Sequence, residues 1–540
     1  MSTRTSHVDT FVADGLPSEQ DQPEYIFSLE SLDFPEILNC AGEILDTQVN
    51  RGLGDKVAIL SPGCNWTYQE LLDKANRIAA TLTDKCGLVP GERVLLRAPN
   101  CPMLAAAWFG VIKAGGVAVT TMPLMRAQDL EPVIRKSLPA YAICDARLVD
   151  EVLMLQGLTE FPRKLLLFGN ATDSDEHECL ETLMADRSGE FENVGTFAND
   201  AALIAFTSGT TGNPKGTVHF HRDVMSMCIC VGQGLIEAER DDIFIGSPPL
   251  AFTFGLGMLL AFPLHAGAAT VLIEKASPPD LAAAIENFQA TICATAPTAY
   301  RAMLHGKGVG SLGSLKKAVS AGEHLPLSTF EEWRDATGIQ MIDGLGTTEM
   351  IHIFVSASGD NIHPGAIGKA IQGYKVAILN ADNQPVSSPD SGRLAVKGPT
   401  GCKYLSDDRQ KDYVVDGWNV TGDICRYDED GYIWYVSRSD DMIISGGYNI
   451  AGPDVEAALM QHEAVLECAV VGAPDADRGQ VVTAYIVLRE GYEKSDAMIQ
   501  AIQQHVKSTI APYKYPRAIA WIDALPKTQT GKIQRYKLLQ

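Results

Sequence analysis

Short runs typical of β-strands alternate with helical patterns through the first three-quarters of the 540-residue sequence, and this alternation limits the folds available to it. Residues 57–60, 93–97 and 117–121 predict strands, whereas residues 68–83 and 102–114 carry apolar side chains at helical spacing. Strands that alternate with helices form sheets whose faces are covered by the helices. The sequence therefore predicts an α/β fold made of layered β/α subdomains.

The pattern changes after about Asp423, where a smaller unit begins. A strand-like run at 431–436 leads into the charged turn Arg438-Ser-Asp-Asp441, and then come a helix at 454–461, strands at 466–471 and 482–488, and a last helix. About 100 residues of this kind make a plausible α+β domain. We predict a large N-terminal domain, residues 1–435, that includes a small β-rich portion, then a hinge at 436–441 and a mobile C-terminal domain at 442–540.

Composition excludes several classes of function. The formal net charge of −23 repels nucleic acid and anionic membranes, so we expect neither as a partner. The 12 cysteines form no CxxC pair, which favours reduced core thiols over a metal centre. Residues 250–273 contain no charged side chain, yet Gly255, Gly257, Pro263 and Gly267 interrupt them, which predicts a buried loop, a short helix and a strand rather than a membrane span. The polar N-terminus has no apolar targeting segment, and we expect a cytoplasmic protein.

The strongest motif is the run Thr207-Ser-Gly-Thr-Thr-Gly-Asn-Pro-Lys-Gly216, which follows the apolar residues 201–206. Its glycines allow the backbone to approach a ligand closely, and its hydroxyl and N–H groups can surround phosphate oxygens. Lys215 adds positive charge. The pattern GxxxxGK[ST] is absent from this run, so it differs from the phosphate loop of P-loop ATPases. The run predicts a phosphate-binding loop.

This loop resembles the phosphate loop of the adenylate-forming superfamily, which includes acyl- and aryl-CoA synthetases, peptide-synthetase adenylation domains and luciferases. Further motifs follow in the family's order. Asp343-Gly-Leu-Gly-Thr-Thr-Glu349 is similar to the adenine and magnesium motif, and Thr421-Gly-Asp423 to the ribose motif. Arg438-Ser-Asp-Asp441 resembles the hinge, and Pro526-Lys-Thr-Gln-Thr-Gly-Lys532 the motif of the catalytic lysine. The resemblance spans nearly the whole chain.

The resemblance implies ATP, Mg²⁺ and coenzyme A as cofactor and co-substrates. It assigns catalysis to Lys532, Glu349 and Thr348, with Glu349 as the metal ligand, since a carboxylate suits Mg²⁺. Many relatives stack a tyrosine on adenine where this chain has Leu345. The expected ATP-binding residues are Thr207, Ser208, Gly209, Thr210, Thr211, Gly212, Lys215, Gly322, Glu323, Gly344, Leu345, Thr347, Asp423 and Arg438.

The C-terminal motifs imply how the acceptor is reached. In the family, Gly447 of Ser445-Gly-Gly-Tyr-Asn-Ile450 lies where the pantetheine tunnel narrows, and the tunnel and hinge residues are Gly446, Gly447, Tyr448 and Asp440. The sequence ends eight residues after Lys532 with no carrier domain, so free coenzyme A is the expected acceptor. An enzyme that delivers its acyl group to a separate carrier protein, and a non-enzymatic ATP-binding relative, are the alternatives.

Two segments indicate an aromatic acid as the substrate. Residues 343–354, with the continuation Glu-Met-Ile-His-Ile-Phe, and residues 250–257 resemble benzoate-CoA ligases. Residues 7–11 and 38–46 are similar to 2-aminobenzoate-CoA ligases. The resemblance thus predicts an aryl-CoA ligase for 2-aminobenzoate or benzoate, with the ring substituents and the choice between monomer and homodimer left open. The predicted acyl-pocket residues are Phe252, Tyr300, Ala321, Gly346, His352 and Ile353.

Overall fold

The computed structural model describes residues 4–169, 171–174, 177–207, 214–305, 309–386, 388, 390–439, 441–445, 448–475, 479–527 and 533–539. These residues form layered sheets with helices on their faces, followed by a small α+β unit. The α/β class predicted from the sequence is therefore confirmed. Strands at 93–97 and 117–121 have the predicted bounds, and the strand predicted at 57–60 is one residue longer.

One sheet of the N-terminal part carries the residues around the predicted phosphate loop. Within the described residues it has seven strands, parallel except for the last pair, which is antiparallel. In spatial order the strands are Glu178–Cys179, Lys164–Phe168, Tyr141–Asp145, Arg93–Arg97, Val117–Thr121, Ala201–Thr207 and Lys215–Phe220.

A second sheet holds the segment that follows the adenine-like motif. It has a parallel centre and antiparallel pairs at both edges, and nine of its strands lie in the described parts of the chain. In spatial order they are Lys369–Ala370, Ile353–Ser356, Met341–Gly346, Lys317–Ala321, Ile292–Thr295, Ile243–Gly246, Ala269–Val271, Val57–Ser61 and Cys64–Thr67.

The predicted β-rich portion is an antiparallel sheet that ends the N-terminal part. Its strands are Lys375–Leu379, Ser391–Lys397, Trp418–Tyr427, Val414–Val415 and Ile433–Arg438. The C-terminal unit then forms a separate sheet with its own buried cluster, which includes Ile443, Val455 and Ile486. The strands of this sheet are Tyr448–Ile450, Ile443–Ser445, Gly479–Leu488, Val465–Asp475 and Ala518–Trp521.

Helices cover these sheets, and local signals in the sequence mark where several begin. Thr67 accepts a hydrogen bond from the Glu70 amide while the Glu70 carboxylate accepts from the Thr67 amide, which closes the first turn of a helix. Pro102 and Pro278 occupy first-turn positions, where no amide hydrogen is needed. The α-helices are Phe11–Asp14, Tyr68–Ala80, Pro102–Lys113, Ala127–Ser137, Asp150–Leu153, Leu180–Ala185, His221–Met227, Thr253–Leu256, Phe262–His265, Pro278–Phe288, Pro297–His305, Leu327–Thr337, Gln410–Tyr413, Gly452–Met460 and Asp496–Thr509.

The uncharged stretch 250–273 folds into short elements in the core. It forms a continuous helical stretch, made of Thr253–Leu256, the π-helical Gly257–Ala261 and Phe262–His265, and then the strand Ala269–Val271. Among the described residues, none of the helices has both the length and the apolarity that a bilayer crossing demands.

Candidate active site

The predicted phosphate loop connects two paired strands at the edge of the seven-stranded sheet. Strand Ala201–Thr207 runs antiparallel to Lys215–Phe220, and the pairing continues to Thr207 opposite Lys215. The loop is therefore anchored at both of its ends. Of the predicted ATP-binding residues, Thr207 and Lys215 lie on these anchors, and Ser208, Gly209, Thr210, Thr211 and Gly212 lie outside the described residues.

Lys215 and Glu349 are joined by one tyrosine that the sequence analysis missed. The Lys215 ammonium donates to the Tyr404 hydroxyl at 3.0 Å, and that hydroxyl donates to Glu349 Oε1 at 2.5 Å. Tyr404 and Glu349 are buried. The only signal in the sequence was an aromatic residue in a polar segment, which does not distinguish a site residue from an ordinary core tyrosine.

Glu349 lies in the short helical turn Thr348–Met350, which is fixed on three sides. The Tyr413 hydroxyl lies 3.0 Å from the Thr347 hydroxyl oxygen, buried His219 Nε2 donates to the Thr348 carbonyl at 2.8 Å, and Thr400 donates to the Met350 carbonyl at 3.0 Å. The hydrogen bonds of the described residues give the second carboxylate oxygen, Oε2, no partner. A rigidly held carboxylate of this kind fits a hard divalent cation. Glu349 could hold Mg²⁺.

The backbone reverses sharply just after this turn. Ile351 has φ +64° and ψ −37°, a conformation that a β-branched residue rarely adopts. The reversal places His352 in a different environment from Glu349, although the two residues are only three positions apart in the sequence. Packing of fully buried Met350 and Ile351 in the main core holds the strained conformation.

A cavity of about 610 Å³ lies between the N-terminal part and the C-terminal unit. Asp423 and Arg438, from neighbouring strands, meet on its wall with 3.2 Å between Arg438 Nη1 and Asp423 Oδ1. Five other predicted or flanking residues of the nucleotide motifs also line it: Gly322, Glu323, Gly344, Leu345 and Gly346. The structure thus brings the adenine-like and ribose-like motifs together. The volume of the cavity and the polar groups on its wall suit a nucleotide.

The lining residues that were not among the predicted site residues include Asp343, His324 and Tyr435. Asp343 faces the cavity, and desolvation by the surrounding protein raises the pKa of its carboxyl to about 8. His324 stacks on Tyr435 with 5.3 Å between ring centroids, and burial lowers the pKa of His324 to about 4. Asp343 begins the adenine-like motif and could have been included from the sequence. The ring pair could not, because its members are 111 positions apart.

His352, a predicted acyl-pocket residue, occupies an apolar environment among aromatic side chains. Its ring lies 4.7 Å from the centroid of Phe262 and 5.6 Å from that of Phe254. The side chain is 3% exposed, and neither ring nitrogen has a hydrogen-bond partner within the described part of the chain. Burial lowers its pKa to about 3, against a smaller opposing effect of the Phe254 backbone, so the ring is neutral and can accept a hydrogen bond.

The other predicted acyl-pocket residues are Ile353, Ala321, Gly346, Phe252 and Tyr300. Ile353 and Ala321 are buried on neighbouring parts of the nine-stranded sheet, and Gly346 has no room for a side chain, since a Cβ there would lie 2.5 Å from the His352 carbonyl oxygen. Phe252 caps the helix Thr253–Leu256. Tyr300 stays a predicted acyl-pocket residue only, and its side chain is packed in the core. Its hydroxyl donates to the Cys293 and Val319 carbonyls, and its ring packs edge-on against Trp333, so it is a core residue.

The predicted hinge and tunnel residues are only partly described. Strand Ile433–Arg438 ends the antiparallel sheet and strand Ile443–Ser445 begins the C-terminal one, but Asp440 between them lies outside the described residues. The same holds for Gly446, Gly447 and Lys532. The backbone of Tyr448 pairs with Ser445 in a hairpin. Lys527 and Ile533, which flank residues 528–532, line the cavity together with Asp423.

Comparisons with known proteins agree with this geometry. Residues 45–404 match the AMP-binding enzyme family, and residues 454–532 match the AMP-binding enzyme C-terminal domain. A benzoate–CoA ligase of Thauera aromatica is 33% identical over 514 residues, 94% of this chain and 97% of that protein. A long-chain-fatty-acid–CoA ligase of Bacillus subtilis is 30% identical over 519 residues, 90% of this chain and 92% of that protein. The crystal structure of an anthranilate CoA ligase in complex with anthranoyl-AMP is 31% identical and superposes with a TM-score of 0.89, covering 94% of this chain and 98% of that one.

Proposed function

The chain belongs to the AMP-binding enzyme family and is an AMP-forming acid–thiol ligase that uses ATP, Mg²⁺ and coenzyme A. We propose that its acid is an aromatic carboxylate, with 2-aminobenzoate favoured and benzoate next. In the proposed reaction the carboxylate attacks the α-phosphate of ATP and releases pyrophosphate. The thiol of coenzyme A then displaces AMP and forms the thioester.

This route needs no covalent nucleophile from the protein, since AMP is a good leaving group from the acyl-adenylate. Two buried cysteines, Cys228 and Cys402, are poorly suited to that role. Burial raises the pKa of the Cys228 and Cys402 thiols well above the ordinary value, which disfavours the reactive thiolate.

The side chains of this chain bind and orient the reactants. Asp423 can accept hydrogen bonds from the ribose hydroxyls, and Arg438, held beside it at 3.2 Å, can donate to ribose or phosphate oxygens. Lys215 is placed to attract the phosphates from the end of the loop. Mg²⁺, when bound, supplies charge neutralisation on the phosphates, and Glu349 would hold it.

The observation that carries the choice of acid is the environment of His352. A buried neutral imidazole with two nitrogens lacking partners costs free energy, which a polar ligand group recovers. The surrounding rings of Phe254 and Phe262 favour a planar apolar ligand over a charged one. An aromatic ring with a hydrogen-bond donor beside its carboxylate, as in 2-aminobenzoate, satisfies both conditions.

The test is pyrophosphate exchange across a panel of acids, followed by thioester formation with free coenzyme A or with a phosphopantetheinyl carrier protein. We expect aryl acids to support exchange and 2-aminobenzoate to give the highest kcat/KM. Clearly better exchange with long-chain fatty acids would contradict the aromatic pocket, and transfer to the carrier alone would support the carrier-dependent alternative.

We further propose that the C-terminal unit rotates about Asp440 between the two steps, because Lys532 and the Gly447 turn belong to that unit and serve different steps. Lys532→Ala should lose adenylation by roughly 10²–10³ yet still convert a supplied acyl-adenylate. Gly447→Leu should form the adenylate and fail to transfer it. Equal loss of both steps in both variants, measured in single turnovers, would refute the rotation.

A further inference from the structure

Tyr404 lies between the cation that ends the phosphate loop and the carboxylate predicted to bind metal. We propose that Tyr404 is a positioning residue that keeps Lys215 and Glu349 apart and holds the Glu349 carboxylate ready for a divalent cation. The proposal rests on the function proposed above, and it assigns a role to a side chain that neither the motifs nor the chemistry of the reaction requires.

The geometry makes one hydroxyl serve both charged groups. It accepts from Lys215 Nζ at 3.0 Å and donates to Glu349 Oε1 at 2.5 Å. The Lys215 ammonium also lies 4.9 Å from the centroid of the Tyr404 ring. A phenol can donate and accept at once, whereas an ammonium only donates and a carboxylate only accepts. The hydroxyl therefore uses one carboxylate oxygen and leaves Oε2 to a ligand.

The backbone around Tyr404 fixes the position of this hydroxyl. The Val218 amide donates to the Lys403 carbonyl and the Leu405 amide to the Gly216 carbonyl, so the segment is bound to the strand that follows the phosphate loop. The Tyr404 amide in turn donates to Gln410 Oε1 at 2.9 Å. With 1% of its surface exposed, Tyr404 has little freedom to move.

Loss of the hydroxyl would change the partners of both charges. Opposite charges in a poorly hydrated site attract strongly, so Lys215 and Glu349 would approach each other and form a direct ion pair. Such a pair would withdraw the carboxylate from the metal and the ammonium from the phosphates. Binding of nucleotide with metal should therefore suffer more than binding of nucleotide alone.

The test compares nucleotide binding with and without metal in Tyr404→Phe. Titration calorimetry would measure the affinity for a non-hydrolysable ATP analogue in Mg²⁺ and in EDTA. We expect the gain in affinity from Mg²⁺ to fall by about tenfold or more, as for loss of a hydrogen bond to a charged group, with a smaller change in EDTA. Combined with Glu349→Gln, the Tyr404 substitution should have no further effect on that gain.

The matched control is Tyr68→Phe, which removes an equally buried hydroxyl whose partners are the Leu264 and Ala268 carbonyls and not Lys215 or Glu349. It should keep the Mg²⁺-dependent gain. An equal loss in Mg²⁺ and EDTA for Tyr404→Phe, or an unchanged gain, overturns the proposal while the wild-type affinity still supports the nucleotide site. No Mg²⁺-dependent binding by the wild type would instead count against the proposed function.

A second measurement covers the case in which Tyr404→Phe does not fold. Incorporation of 3-fluorotyrosine at position 404 preserves the hydroxyl, and its ¹⁹F resonance reports the hydrogen bond. The resonance should shift when Mg²⁺ is added to the nucleotide complex, because the carboxylate then changes partners. A resonance insensitive to Mg²⁺ overturns the proposal.

Discussion

The predicted metal site around Glu349, here the metal end, and the predicted acyl pocket around His352, here the acyl end, differ in whether their polar groups are hydrogen-bonded. At the metal end, Lys215, Tyr404 and Glu349 satisfy one another before any ligand arrives. At the acyl end, His352 is just as enclosed but has no hydrogen-bond partner among the described residues. Both ends are buried, so burial alone does not explain the difference.

The difference shows how each end should respond to its ligand. At the metal end, a ligand meets groups that hydrogen bonds already hold in place, so geometry is fixed in advance and the net gain is modest. At the acyl end, a ligand satisfies a group that was left without a partner, so binding recovers a cost present in the free enzyme. We therefore expect the metal end to govern rate and the acyl end to govern selectivity.

Glu349→Gln should cause the largest loss of activity among substitutions at the two ends of the site. The amide oxygen can still accept from Tyr404, so the fold is retained, but the charge that binds Mg²⁺ is lost. Carboxylate-dependent pyrophosphate exchange should fall by about 10²–10³, and excess Mg²⁺ should restore part of it. Exchange at the wild-type rate would remove Glu349 from the site.

His352→Leu tests the acyl end, where it should change both the stability of the protein and its preference among acids. Removal of a buried group without partners should raise the free energy of unfolding by about 1–3 kcal/mol, measured by urea denaturation. The preference for 2-aminobenzoate over benzoate, measured as a ratio of kcat/KM, should fall by about tenfold. His219→Leu is the control: this ring is equally buried but donates to the Thr348 carbonyl, so its loss should destabilise the protein. Stabilisation by both substitutions would contradict the comparison.

Asp343→Asn tests a third situation, a carboxyl on the cavity wall with a raised pKa. The folded state holds its proton up to a pKa of about 8, whereas the unfolded chain releases it near its ordinary value. The folded state therefore binds more protons between those values, and this contribution to stability declines as pH rises. The Asn variant should lose less stability between about pH 5 and about pH 8 than the wild type in chemical denaturation. Parallel pH profiles would place the raised pKa in doubt.

Tyr300→Phe should have the smallest effect on function. The ring stays in the core, but two carbonyls lose their shared donor, which should lower the free energy of unfolding by about 1–3 kcal/mol. The relative kcat/KM values for different acids should stay unchanged. A shift in acid preference would return Tyr300 to the acyl pocket.

The sequence predicts the fold well because its signals are local. Apolar runs give the bounds of the central strands, and Thr67 with Glu70 marks a helix start within four residues. The change in pattern after Asp423 falls earlier than the division between the two sheets, because strand Ile433–Arg438 still pairs with Trp418–Tyr427 in the β-rich portion.

The site is predicted only where its residues belong to contiguous motifs. Asp423 and Arg438, each predicted from its own motif, pair across adjacent strands. Tyr404 and Glu349 instead meet over 55 positions, and no spacing in the sequence encodes that contact. Tyr300 illustrates a second limit of the sequence. An aromatic residue near a predicted pocket is indistinguishable in sequence from one whose hydroxyl is satisfied by core carbonyls.

The strained turn at Ile351 has a consequence for how relatives of this chain can diversify. Glu349, the predicted metal ligand, and His352, a predicted acyl-pocket residue, lie within four sequence positions on either side of this turn, so they are inherited together on one short segment. Recombination between relatives with different acid preferences should therefore succeed when the crossover points lie outside residues 347–353. A crossover or a length change inside that stretch would alter both ends of the site at once.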